Sequence, residues 1–243
     1  MSRQTKRAAL VFANLFGIAL FLSWALPAHH GFWFAIDRDI FFAWNELLPQ
    51  SRAFLYFVAF TNLRPFDLVA FLFMLAIFAH SYRKLDHQGR RWMLCMGAAM
   101  LISALIAKQG ANLIDGNGRA SASKYFLENG YPVFRASLLS GWPCKDIASS
   151  SFPGDHGMFL LIFVSFSLRY LGRRSFLASL AVFLVFSLPR IMSGAHWFTD
   201  IAVGSLSVAC VIMSWMLLTP ASDKLIGWLD RIFPDWLDRR ISS

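Results

Sequence analysis

Charge is scarce in this sequence, and so are cysteine and repetition. Only 15% of the 243 residues are charged and 57% are hydrophobic, whereas a soluble domain carries about a quarter charged residues. The apolar residues fall in long runs rather than at alternating or helical spacing, which excludes an ordinary water-soluble globule. A polytopic membrane protein, folded as a single domain over 1–243, is expected instead. The three cysteines supply no disulfide framework. Cys95 and Cys210 lie inside apolar runs, Cys144 stands alone in a loop, and no CxxC pair or comparable metal-ligand cluster is present, so neither metal nor cofactor is expected. Internal repeats and low-complexity tracts are lacking as well.

What is present is basic and aromatic. The net charge is +9 and 16% of residues are aromatic, a balance also seen in nucleic-acid binders. Here the charges sit at the ends of apolar runs, where membrane topology is set, so no nucleic-acid partner is expected. Six segments approach the ~20 residues needed to cross a bilayer: 8–26, 66–82, 92–108, 157–171, 175–191 and 199–218. The expected fold is an all-α bundle of six transmembrane helices. The first segment follows Arg3, Lys6 and Arg7 but has no small-x-small cleavage site before Pro27, so it reads as a retained span.

Arg83, Lys84, Arg90 and Arg91 fall between the second and third spans, Arg173 and Arg174 between the fourth and fifth, and Lys224, Arg231, Arg239 and Arg240 after the sixth. If all six cross, these segments and the N-terminus share one side, which the positive-inside rule makes cytoplasmic. Segments 27–65, 109–156 and 192–198 then face outward. The apolar stretch 40–62 is broken by Glu46, Pro49 and Arg52 and is expected to be interfacial or re-entrant. Residues 223–240 interleave Leu225, Trp228, Leu229, Ile232, Phe233 and Trp236 with charges, a spacing that predicts an amphipathic helix on the cytoplasmic leaflet.

Chemistry concentrates at two outward-facing span ends. Ser151-Phe-Pro-Gly-Asp-His156 precedes the fourth span, and Arg190 through Gly194-Ala-His196-Trp-Phe-Thr-Asp200 joins the fifth to the sixth. Ionisable groups at membrane depth are costly and usually functional. Arg190 offers a planar fork of donors matched to phosphate oxygens. A neutral His196 imidazole can attack phosphorus and carry the phosphoryl group covalently. Asp200, four residues on, can accept the Nδ1 proton and leave Nε2 free. His156 is placed to protonate the leaving oxygen and to deprotonate the acceptor. Lys145, six residues before Ser151, can reach an anionic head group. Asp155 either caps the fourth span or raises the basicity of His156. A channel or transporter is the reading from another class. The charges gather at one face rather than mid-membrane, and no broken helix pair recurs in two halves, which argues against it.

These segments resemble the type 2 phosphatidic acid phosphatase superfamily of membrane phosphatases and phosphotransferases. Arg190-x5-His196-x3-Asp200 matches its third motif, and Ser151 to His156 its second, with Gly154-Asp155 where Ser-Gly is usual. The first motif, Lys-x6-Arg-Pro, is absent in strict form. Arg64-Pro65 has Phe57 at the lysine position, and the resemblance favours Arg119 as the phosphate-binding residue, with Lys108 upstream of it. The motif also assigns Gly154 and Asp155 to the phosphate-binding loop. The stretches Thr61-Asn-Leu-Arg-Pro-Phe-Asp67, Lys145-Asp146 and Leu218-Thr-Pro-x-Ser-Asp223 resemble the superfamily's lipid A phosphotransferase branch. That likeness implies undecaprenyl diphosphate as donor, the 1-phosphate of lipid A as acceptor, and the periplasmic face of a bacterial inner membrane. The residues themselves leave open whether water or a lipid phosphate accepts the phosphoryl group.

Overall fold

The computed structural model describes residues 2–115 and 118–232. Among them every regular element is a helix, as the long apolar runs demand. Helix α1 (Arg3–Ala25) starts at Ser2, whose hydroxyl accepts from the Thr5 N–H at 3.1 Å. A short 3₁₀ turn (Ala28–His30) leads into α2 (Phe32–Asn45), α3 (Leu47–Gln50) and α4 (Arg52–Thr61). The interrupted segment 40–62 is thus a series of short helices, with Ser51 capping α4 through the Phe54 N–H. Helix α5 (Arg64–Tyr82) begins with Pro65 in its first turn, where a missing N–H costs nothing. Helix α6 (His87–Asp115) runs past Lys108, where the hydropathy-based span ends. Two small helices, α7 (Ala122–Glu128) and α8 (Ala136–Ser140), lie in the long connection that follows.

Among the described residues, five helices are long and apolar enough to cross a membrane, one of them the 38-residue stretch Asp155–Met192. That stretch is interrupted at Gly172, which sits at φ 84°, ψ 174°. Glycine tolerates this conformation without a steric penalty. Before the break run α9 (Asp155–Phe166) and a π-helical turn, Ser167–Leu171, and after it α10 (Gly172–Met192). The two halves pack against each other. A second π-helical turn, Asp200–Ser205, opens α11 (Leu206–Leu218).

Helix α12 (Ala221–Ile232) holds the described part of the expected amphipathic tail. Phe233, Trp236, Arg239 and Arg240 lie outside the described residues. Its Leu225, Ile226 and Leu229 join the core cluster around Met93 and Met213, while Trp228 and Ile232 stay exposed. The helix therefore commits one apolar edge to α6 rather than to lipid, and Arg91 donates to Asp230 at 2.8 Å across that contact.

The ends of the bundle differ in chemistry. Arg169 and Tyr170 reach Asp223, Ser81 meets Ser175, and Lys84, Arg173 and Arg174 line one surface recess. Asn14 bonds Ser214 at 2.9 Å while Trp24 packs on Val203, so α1 runs antiparallel to α11 and begins at this same basic end. The histidine segments lie at the other end.

Candidate active site

Helix α10 ends in Pro189-Arg190-Ile-Met192, and the chain then turns sharply. Gly194 adopts φ 73°, and a Cβ there would collide with Ser123 Oγ and the Phe41 ring, so the turn admits only glycine. The His196 N–H donates to the Arg190 carbonyl at 3.1 Å, which ties the two side chains to one rigid loop.

Four residues on, Asp200 is fully buried. Its Oδ2 accepts from the Trp197 N–H at 2.9 Å and faces His196 Nδ1 at 3.1 Å. His196 Nδ1 also lies 3.0 Å from the Ser151 carbonyl. A carbonyl can only accept, so Nδ1 carries the proton, and in the neutral ring Nε2 carries the lone pair. His196 lines a cavity of about 160 Å³. No protein group bonds Nε2 among the described residues.

Arg190 is 6% exposed and reaches the same cavity. One terminal nitrogen pairs with Asp67 and the other donates to Asn62 Oδ1 at 3.4 Å. The Asn62 carbonyl accepts the Lys145 N–H at 2.9 Å, which sets Lys145 beside Arg190 on the wall. Burial, with repulsion from Arg190, holds the Lys145 ammonium below the usual lysine range, Asp67 and Asp155 pulling the other way. His156, in the first turn of α9, also lines the cavity, its Nδ1 3.9 Å from Asp67 Oδ1. Asp155 lies on the wall too, but its carboxylate pairs with Lys108 and not with the neighbouring histidine.

Arg119 and Gly154, both expected on the phosphate-binding wall, lie behind it. Arg119 donates to Asp37 at 2.9 Å, Thr199 at 2.8 Å and Asp200 at 3.2 Å. Its guanidinium is packed over the Trp197 ring at 4.3 Å and the Trp24 ring at 5.3 Å. Burial raises the Asp37 pKa, and the Arg119 charge and the Thr199 donors oppose that rise. The Arg119 carbonyl accepts the Ser151 N–H at 2.8 Å, so this residue braces both acceptors of His196 Nδ1. The Gly154 N–H is occupied by the Asp200 carbonyl at 2.9 Å. A Cβ at Gly154 would press on Ile201 and Ser205, each at 3.2 Å. Gly154 therefore docks α9 onto the π-helical turn.

Residue spacing marks none of Asp67, Asn62 and Asp37, although Asp67 stands only three residues after Arg64. Asp37, a buried acid in the apolar α2, carried the one usable signal, because such a group needs a partner. No group of three His, Cys, Asp or Glu side chains placed to hold a metal ion occurs among the described residues.

The family model described as the PAP2 superfamily matches residues 92–224, more than half of the chain. The chain belongs to that superfamily. Lipid A 1-diphosphate synthase of Escherichia coli (strain K12) is 44% identical over 225 residues, covering 93% of each chain. No solved structure matches. The matched region contains both histidines, Asp200, Arg190, Lys108 and Lys145, whereas Asp37, Asn62 and Asp67 precede it.

Proposed function

We propose that this chain transfers a phosphoryl group from undecaprenyl diphosphate to the 1-phosphate of lipid A through a phosphohistidine on His196. One observation carries this above others: an apolar cleft adjoins the cavity that His196 lines. That cleft, of about 600 Å³ between α5, α6 and α9, shares Asp67 and His156 with the cavity. Phe71 and Leu101 on its sides are exposed. A phosphate bound at His196 can therefore carry a hydrocarbon tail that leaves sideways at membrane depth. The E. coli relative, a lipid A 1-diphosphate synthase, supports a lipid A phosphate as acceptor.

His196 Nε2 attacks phosphorus in line while Asp200 and the Ser151 carbonyl hold the ring and stabilise the positive charge it gains. Arg190 and Lys145 neutralise the phosphoryl oxygens. His156 gives its proton to the leaving oxygen and in the second half-reaction takes one from the acceptor. Asp67, between Arg190 and His156, orients both.

Six crossings follow if the chain reverses at Gly172, with helices α2 to α4 interfacial and both termini cytoplasmic. The basic end then faces the cytoplasm and the cavity opens at the periplasmic face of an inner membrane.

The test uses purified protein with undecaprenyl diphosphate, with and without lipid A 1-phosphate, following inorganic phosphate and lipid A diphosphate. Transfer requires acceptor-dependent turnover that disappears in His196→Ala. Rapid phosphate release without acceptor would make the chain a lipid diphosphate phosphatase, and absence of both products would remove the enzymatic reading.

A further inference from the structure

Three cations line the cavity, and they come from two separate supports. Arg190 belongs to the His196 loop, and Lys145 is joined to it through Asn62. Lys108 shares none of these partners. It comes from α6, one turn before Asn112, which also faces the cavity, and its ammonium is held by Asp155 at the start of α9. Both members of that pair are accessible, with side-chain exposures of 36% and 47%. Asp155 is also one of the two positions, with Gly154, at which this chain departs from the superfamily's second motif.

The chemistry of the proposed reaction calls for a second cationic position. A phosphoryl group on His196 is an anion, and a lipid phosphate approaching it is another. Water as acceptor brings no such repulsion. A phosphatase with an alcohol leaving group therefore needs one phosphate site, whereas transfer between phosphates needs two.

We infer that Lys108, with Asn112 beside it, forms a second phosphate subsite, filled first by the leaving lipid phosphate and then by the acceptor phosphate. The inference rests on the phosphoryl-transfer reading and assigns the residue that separates transfer from hydrolysis. In the first step the Nε2 lone pair forms the N–P bond as the anhydride P–O bond breaks. The bridging oxygen departs on the lipid phosphate held by Lys108 and takes the His156 proton. In the second, an acceptor phosphate in the same subsite gives its proton to His156 and attacks phosphorus. The P–N bonding pair then returns to Nε2. Asp155 holds Lys108 when the subsite is empty and must be displaced before any phosphate pairs with it, which lowers the affinity of the vacant pocket for free inorganic phosphate.

The test preforms the phosphoenzyme with labelled undecaprenyl diphosphate and measures how it divides between water and lipid A 1-phosphate. In Lys108→Gln, capture by the lipid phosphate falls at least tenfold while hydrolysis of the same intermediate stays within about twofold; Lys108→Arg restores capture. Equal loss of both fates, or of neither, overturns the inference. Asp155→Asn supplies an independent measurement, which decides the matter if Lys108→Gln accumulates no phosphoenzyme. Its inhibition constant for inorganic phosphate falls at least threefold, and an unchanged constant overturns the inference. Failure of the unsubstituted protein to form a phosphoenzyme would instead reject the functional reading beneath it.

Discussion

The neutral tautomer of His196 is set by its neighbours, because one acceptor at Nδ1 is a carbonyl that cannot donate. Asp200→Asn could present an amide N–H to Nδ1 and favour the wrong tautomer. The expected outcome is a kcat lower by ~10³–10⁴ with little change in KM. Arg119 contacts Asp200 and Asp37 and not the cavity, so Arg119→Lys should likewise lower kcat more than it raises KM for the donor; a KM effect alone would return this residue to the phosphate wall. Lys145 titrates below the usual lysine range. Its charged form binds anions, so kcat/KM falls on the alkaline side as pH rises through that lowered pKa. Lys145→Arg, which stays protonated, should remove that limb from the pH profile. His156, His196, Asp200 and Arg190 were legible in the sequence because short, fixed spacings carry them. Asp67 and Asp37 were not, because their partners Arg190 and Arg119 lie 123 and 82 residues away and no local pattern records such pairings.

At the scale of elements, the site depends on one π-helical turn and one tight turn. In the π-helical turn the Asp200 carbonyl accepts from both the Gly154 N–H and Ser205 Oγ. This fastens the start of α9, with His156, to the segment that carries Asp200. Such turns interrupt helices most often at functional positions. Gly194→Ala must adopt a left-handed conformation, a penalty of about 1–2 kcal/mol before any clash, and must also displace Ser123 or Phe41. The expected result is a lower thermal midpoint in detergent and loss of activity. Full activity would show that the loop between Arg190 and His196 tolerates rearrangement. The hydrophobic runs located the long helices, but α6 extends seven residues beyond Lys108. Hydropathy ended it there because Lys108 and Asn112 are polar; both face the cavity, where polarity is in place. The amphipathic spacing of the tail predicts the helix seen over its described part. It does not reveal that α6 offers Leu225, Ile226 and Leu229 a surface that competes with lipid.

For the whole molecule, the basic loops gather at one end of the bundle and the cavity lined by His156 and His196 lies at the other, an asymmetry already present in the order of charges along the chain. In a background with the three native cysteines replaced, Arg173→Cys should react with a membrane-impermeant thiol reagent only from the cytoplasmic side. Tyr131→Cys should react only from the periplasmic side. Labelling of both from one side would break the six-crossing topology. The cavity and the adjoining cleft express the same logic, with charge fixed at the bundle end and an apolar opening toward the lipid. If a histidine carries the phosphoryl group between two lipids, the phosphohistidine can be trapped. Brief incubation with donor labelled in its distal phosphate, followed by an alkaline quench, should leave acid-labile label on His196. Subsequent lipid A 1-phosphate should remove that label into lipid A diphosphate. Label that never appears on the protein while lipid A diphosphate still forms, or that survives in His196→Ala, would rule out a phosphoryl carrier at His196.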